Sequence, residues 1–297
     1  MAPIPVTIVT GFLGAGKSTL VNELLRDPAL EGTVVLINEF GEVPIDQDLI
    51  AGPNDEPILT TTGCLCCTAS SDIKQSLFDL WEKRHDRGFS RFRHVIVETT
   101  GLIDPVPVIS TLLAKPSVHQ AASATQSIYQ IILKQFALSR IVTLFDIVNG
   151  SNTLDRYPEA QKQVALSDVI VLTKTDLSND PATQRDIAGD RARISMINPG
   201  ANILDRREDW PEISSLFLAA ATYDLRSKGE EAIVWFDAER IHAEGDHEHG
   251  HDNLDVTRHG DDIRSHALIL DRPVDPQNFQ RFLEEIRNRA GTDLIRI

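Results

Sequence analysis

The chain has 297 residues, enough for one large domain or two ordinary ones, and its 41% apolar and 25% charged residues exclude a wholly disordered polypeptide. Lysine plus arginine number 29 against 44 aspartate plus glutamate, a formal charge of −15, and a body this acidic repels nucleic acid and anionic membrane surfaces. No apolar run reaches the ~18–20 residues of a membrane-crossing helix, and Met1-Ala2-Pro3-Ile4-Pro5 lacks a basic segment followed by a long apolar one, so no secretory signal is expected.

The first apolar run, Pro5 to Thr10, is β-branched and too short for a helix. It leads into Gly11-Phe12-Leu13-Gly14-Ala15-Gly16-Lys17-Ser18, which fits G-x-x-x-x-G-K-[ST]. Thr19 to Leu25 then starts a helix, so the motif has the strand-before, helix-after context it requires. Glycines Gly11, Gly14 and Gly16 let the backbone curl until successive N–H groups, including those around Ala15 and Thr19, face phosphate oxygens. The helix N-terminus adds positive potential. Lys17 neutralises the outer phosphates and the Ser18 hydroxyl is placed to ligate Mg²⁺.

A second run, Val34 to Ile37, ends at Asn38-Glu39-Phe40-Gly41-Glu42. In a doubly wound sheet the strand C-termini meet along one edge, where ligands bind, so Glu39 and Glu42 are candidates to approach both the nucleotide and a metal. Gly63-Cys64-Leu65-Cys66-Cys67 follows, holding all three cysteines of the chain. An odd, clustered set cannot staple distant parts of a fold and reads as a reduced, cytoplasmic thiol site. Three neighbouring thiolates repel one another, and a soft divalent cation such as Zn²⁺ relieves the repulsion. Co²⁺ and Ni²⁺ suit the same donors, and the Cys64–Cys67 spacing also permits redox chemistry. A helix is expected from Asp72, with Ile73, Leu77, Leu80 and Trp81 on one face.

The third run, Val95 to Val97, is followed by Glu98-Thr99-Thr100-Gly101. Such domains place an acidic residue here, near Mg²⁺ and the γ-phosphate, so Glu98 is a candidate to position Mg²⁺ or the attacking water, and Gly101 to donate its backbone N–H to the γ-phosphate. Residues 114–140 are polar-helical. Strands are expected at Ile141 to Phe145 and Val169 to Leu172. The second leads into Thr173-Lys174-Thr175-Asp176. An Asp176 carboxylate accepts two hydrogen bonds from guanine N1–H and its N2 amine, which adenine cannot offer. The Lys174 stem can lie over the base. Thr173 stands where the common guanine motif has Asn, which weakens one contact.

These runs are continuously apolar, as strands buried on both faces are, and the stretches between them supply crossover helices. The expected fold is α/β: a P-loop NTPase with a mostly parallel sheet flanked by helices over residues 1–222. Residues 230–262 hold 11 acidic residues, 2 arginines and 5 of the 9 histidines, so 223–262 reads as an acidic, histidine-containing linker. His247, His249 and His251 in it suit weak metal capture. Residues 263–297 offer a strand (Ser265 to Leu270), a helix from Asp275-Pro276 and the start of another strand, a small and shortened α+β C-terminal domain.

Taken in order, Gly11 to Thr19, Asn38 to Glu42, Gly63 to Cys67, Glu98 to Gly101 with Asp104-Pro105, and Thr173 to Asp176 resemble the cobalamin-synthesis W-like P-loop GTPases and the zinc-regulated GTPase metalloprotein activators. The resemblance spans essentially the whole chain. It implies a GTPase domain of the nickel-chaperone and urease-accessory type, a smaller C-terminal domain, metal held near the cysteines, and transfer coupled to GTP. Relatives continue past an Arg-x-Lys-Gly stretch, whereas this sequence ends at Arg296-Ile297; where some have a histidine near position 115, it has Lys115, with His119 nearby.

The function expected is a GTP-hydrolysing metallochaperone or metal insertase. Lys17 and Glu98 serve catalysis. Cys64, Cys66 and Cys67, helped by Glu39 or Glu42, hold Zn²⁺ for a client metalloprotein. Turnover is expected to be slow, because no arginine finger or water-orienting glutamine is evident. A homodimer is open. The alternatives are a non-catalytic zinc buffer, a cobalt chaperone for cobalamin synthesis, and a small-molecule kinase.

Overall fold

The computed structural model describes residues 2–37, 69–84, 92–113, 124–179, 186–219, 221–228, 232–237 and 275–290. Among these, β1 (Ile4–Gly11), β2 (Thr33–Ile37), β3 (His94–Glu98), β4 (Phe136–Asp146), β5 (Val169–Thr173) and β6 (Asn202–Asp205) form one sheet in the order β2-β3-β1-β4-β5-β6. Every neighbouring pair is parallel. The strands alternate faces with period two. Ile8, Leu36, Val97 and Ile141 meet residues of α2 (Ala69–Lys83) and α3 (Pro105–Leu113) on one side. Val9, Val35, Ile96 and Val142 meet α1 (Lys17–Leu25) and α8 (Trp210–Leu218) on the other. Both faces are covered, which is why the strands read as unbroken apolar runs.

Further along, α4 (Ala124–Gln135), α5 (Gly150–Arg156), α6 (Pro158–Ala165) and α7 (Ile187–Ile197) complete the helices around the sheet. Phe145, Ile170 and Leu172 pack with Leu154, Val164 and Ile194 from α5, α6 and α7. The order of strands reverses at β1, which lies between β3 and β4. That switch point opens the crevice in which α/β sheets of this kind bind ligands.

Several expected elements are longer or earlier in the structure. The helix expected from Asp72 begins at Ala69 and buries Ile73, Leu77 and Leu80. The strand expected at 141–145 begins at Phe136, because Ser139 is accommodated by a register shift between Val6 and Thr7 of β1. The weakly apolar β6 was not expected. Residues 1–256 form one compact unit and 257–297 a second. Packing in the first continues past residue 222: the Tyr223 hydroxyl donates to the Leu166 carbonyl at 2.9 Å, and Ala232 joins the core. The start of the expected linker therefore belongs to the first unit. In the second unit, α9 (Pro276–Ala290) begins at Asp275, whose Oδ1 accepts from the backbone N–H groups of Gln277 and Asn278. The strands expected around it, and the His247-His249-His251 tract, lie outside the described residues. No helix among the described residues is long and apolar enough to cross a membrane.

At the end of the sheet away from the switch point, His94 opens β3 and shares a 2.9 Å hydrogen bond with Thr7 of β1. The ring is buried, and burial pushes its pKa down from 6.5 to about 4. The unfolded chain therefore binds a proton that the folded chain refuses between those values. This contribution to stability is complete above pH 6.5 and is lost as pH falls towards 4, by up to about 3 kcal/mol. Urea unfolding measured across that window should show the stability of His94→Gln falling less steeply with acidification than that of the wild type. The difference in slope should approach about 1.4 kcal/mol per pH unit.

Candidate functional site

The strand ends supply the site. Gly11 closes β1, Glu98 closes β3, Asp146 closes β4 and Thr173 closes β5. Register brings them to one edge: Val9 pairs with Glu98, Gly11 with Leu144, and Asp146 with Thr173.

The phosphate loop has the expected form. Gly11, Gly14 and Gly16 have φ of 136°, 71° and 92°. Gly16 is the residue just before α1, and its left-handed backbone turns the loop into the helix. The Lys17 ammonium lies back along the loop and donates to the carbonyls of Gly11 at 2.8 Å and Phe12 at 3.2 Å. This arrangement holds the cation against the loop. The Ser18 hydroxyl donates to Glu98 Oε1 at 2.7 Å across 80 residues of sequence. A hydroxyl and a carboxylate oxygen at this spacing are hard oxygen donors of the kind Mg²⁺ takes.

After Glu98 the chain stays against the loop. Thr99 donates its backbone N–H to the Val9 carbonyl and its hydroxyl to that of Thr10. Gly101 lies so close to the phosphate loop that a Cβ there would stand 2.4 Å from the Leu13 backbone nitrogen. Only glycine permits that approach. Asp104 then caps α3, accepting from the backbone N–H of Val106 at 3.0 Å, and pairs with Lys162 of α6.

The Thr173–Asp176 segment is tied at three points. The Thr173 hydroxyl donates to the Ala15 carbonyl of the phosphate loop at 2.9 Å. Thr173 thus serves the loop, where the sequence suggested only a weakened contact to the base. Lys174, at φ 60°, sends its ammonium to Asp146 Oδ2 at 2.6 Å. The Thr175 hydroxyl reaches Asp205 at the end of β6 at 3.1 Å. Asp176 follows and is exposed at the site edge. The three residues before it are thus held in place.

Asp146 was missed from the sequence. Besides Lys174, it accepts from the backbone N–H of Val148 and the Asn149 side-chain amide. Its only sequence signal is its place at the end of a strand, where a buried carboxylate needs several donors. Cys64, Cys66, Cys67, Glu39, Glu42, Lys115 and His119 lie outside the described residues.

The family model for the CobW/HypB/UreG nucleotide-binding domain matches residues 5–205. The chain is 29% identical over 299 residues to the zinc chaperone YjiA of Escherichia coli (strain K12), covering 100% of this chain and 81% of that one. It is 31% identical over 188 residues to the zinc chaperone CobW of Sinorhizobium sp, 59% of this chain and 51% of the relative. It is 29% identical over 301 residues to zinc-regulated GTPase metalloprotein activator 1 of Schizosaccharomyces pombe, 96% of this chain and 66% of the relative. Among solved structures it resembles Zn(II)-bound YjiA GTPase from E. coli, with TM-score 0.49 and 24% identity over 98% of this chain and 79% of that one.

The Thr173–Ala15 tie can be tested directly. Thr173→Val keeps the shape and removes the hydroxyl, leaving the Ala15 carbonyl without this donor. A net hydrogen-bond contribution of about 1 kcal/mol predicts a guanine-nucleotide Kd raised about fivefold, read by titration calorimetry. An unchanged Kd would show that the loop keeps its shape without Thr173.

Proposed function

This chain belongs to the CobW/HypB/UreG nucleotide-binding family, and we propose that it is a GTP-hydrolysing metallochaperone that passes a divalent metal, Zn²⁺ first, to a client metalloprotein. The observation that carries the nucleotide half of this reading is the meeting of Ser18 and Glu98 at 2.7 Å beside Lys17. Strand β3 ends on this buried carboxylate, which accepts from the phosphate-loop serine. Ser18 and Glu98 would hold Mg²⁺, which, when bound, neutralises charge on the β- and γ-phosphates. The Lys17 ammonium, held by the Gly11 and Phe12 carbonyls, would meet the same phosphates. Glu98, held by Ser18, is the residue positioned to orient water. Gly101 offers its backbone N–H to the γ-phosphate, and Asp176 reads guanine.

The metal half rests on the three thiols, supported by the zinc chaperones among the relatives. Cys64, Cys66 and Cys67 with Glu39 or Glu42 form the proposed donor set, which the reducing cytoplasm would keep as thiols. Coupling requires that metal affinity differ between the GTP and GDP forms, since a ligand shifts an equilibrium only through differential affinity.

Hydrolysis of GTP should be slow yet above that of Lys17→Ala, and GTP should be preferred to ATP. Zn²⁺ affinity should differ at least tenfold, about 1.4 kcal/mol, between the forms bound to a non-hydrolysable GTP analogue and to GDP. Cys66→Ala should weaken Zn²⁺ binding while leaving GTP binding in place. Hydrolysis equal to the Lys17→Ala background would make the chain a metal buffer, and equal use of ATP would point to a kinase. Zinc affinity indifferent to the nucleotide would end the coupling.

A further inference from the structure

Gln163 is almost wholly buried in α6, at 1% exposure, yet it belongs to no motif. Its side-chain nitrogen donates to two backbone carbonyls of the segment after β3, Ile103 at 3.1 Å and Gly101 at 3.3 Å. Carbonyls only accept, so the amide must present its nitrogen to them, and both of its N–H bonds are used. Gln163 is itself held. Its backbone carbonyl accepts the Thr143 hydroxyl of β4 at 2.8 Å and the Ser167 hydroxyl at 2.6 Å. One residue therefore joins the central sheet to the two peptides that follow Glu98-Thr99-Thr100.

The adjacent residue holds the same segment from its far end. Lys162 pairs with Asp104, and its ammonium also lies 5.9 Å from the centre of the Trp235 ring. Along this segment the phosphate loop makes contact on one side, through Leu13 against Gly101, and α6 on the other. Such a segment moves between nucleotide states only if both contacts permit it.

We propose that Gln163, seconded by Lys162, is a positioning residue that holds Gly101 by its carbonyl and so orients the Gly101 N–H, on the preceding peptide, for the γ-phosphate, so that α6 governs discrimination between GTP and GDP. The inference rests on the GTP reading above and adds residues which that reading does not contain. A polar amide in this place has a structural use as well, since it satisfies two buried carbonyls. The positioning role differs in one respect: its loss acts on the triphosphate and spares the diphosphate, which has no γ-phosphate for the Gly101 N–H to meet.

The test is titration of GDP and of a non-hydrolysable GTP analogue, both with Mg²⁺, into wild type, Gln163→Met and Lys162→Met. Gln163→Met keeps the length of the side chain and removes both donors. Its Kd for the GTP analogue should rise about tenfold, and that for GDP less than twofold, as expected for lost hydrogen-bond orientation. Lys162→Met, at a half-buried ion pair, should give the same selectivity at two- to fivefold. It decides the question alone if Gln163→Met does not fold. Equal shifts for both nucleotides, or none for either, would overturn the positioning role and leave the GTP reading standing. A wild type that binds no guanine nucleotide would overturn both.

Discussion

A loop that binds phosphate through its own peptide N–H groups has no side chains with which to hold its shape, so its neighbours must hold it. In this chain they come from two strand ends and from the first residue of α1. Thr173 at the end of β5 donates to the Ala15 carbonyl, Gly101 beyond β3 packs against Leu13, and Lys17 closes the loop on Gly11 and Phe12. Each contact falls on backbone, and the parallel register carries the first two to the same edge. The site thus depends on the sheet in a direct sense. A one-residue slip of β3 would turn Glu98 to the opposite face and break its bond to Ser18.

The charge balance makes local design necessary. A body of formal charge −15 opposes the approach of a triphosphate. What draws the anion in is short-ranged: the start of α1, the loop amides and the Lys17 ammonium. The buried Glu98 carboxylate would add repulsion if it faced the phosphates bare, and the Ser18 hydroxyl and a divalent cation are what make it compatible with them. The same acidity favours a cationic cargo. One chain can therefore treat its two ligands oppositely, drawing metal in at long range and nucleotide only at contact.

Much of this was legible in the sequence because the phosphate loop and strand-end motifs are local. Gly11 to Ser18 needs only a strand before it and a helix after it, and Ile73, Leu77 and Leu80 announce their helix by spacing alone. Thr173 has a partner 158 residues away, on Ala15, and no local pattern shows that. Asp146 and Gln163 were invisible for the same reason. Asp146 is one polar residue at the end of an apolar run, Gln163 one of several polar residues in its helix, and the partners of both are set by tertiary register. Strand β6 was missed because it is short and its first residue is an exposed asparagine.

The fold also bears on how nucleotide and metal could influence each other. The cysteine-bearing segment lies in sequence between Ile37, which pairs with Glu98, and α2. Helix α2 packs through Ile73, Leu77 and Leu80 into the same cluster as Val106, Ile109 and Leu112 of α3, the helix that Asp104 caps. Both ends of the segment are therefore anchored on the β3–α3 passage, the stretch that holds Glu98, Gly101 and Asp104. Close-packed interiors do not deform continuously. A shift of that passage with the γ-phosphate would be felt where the segment starts and where it ends, without a further messenger. This is a physical route for the proposed coupling, and it runs through the passage between β3 and α3.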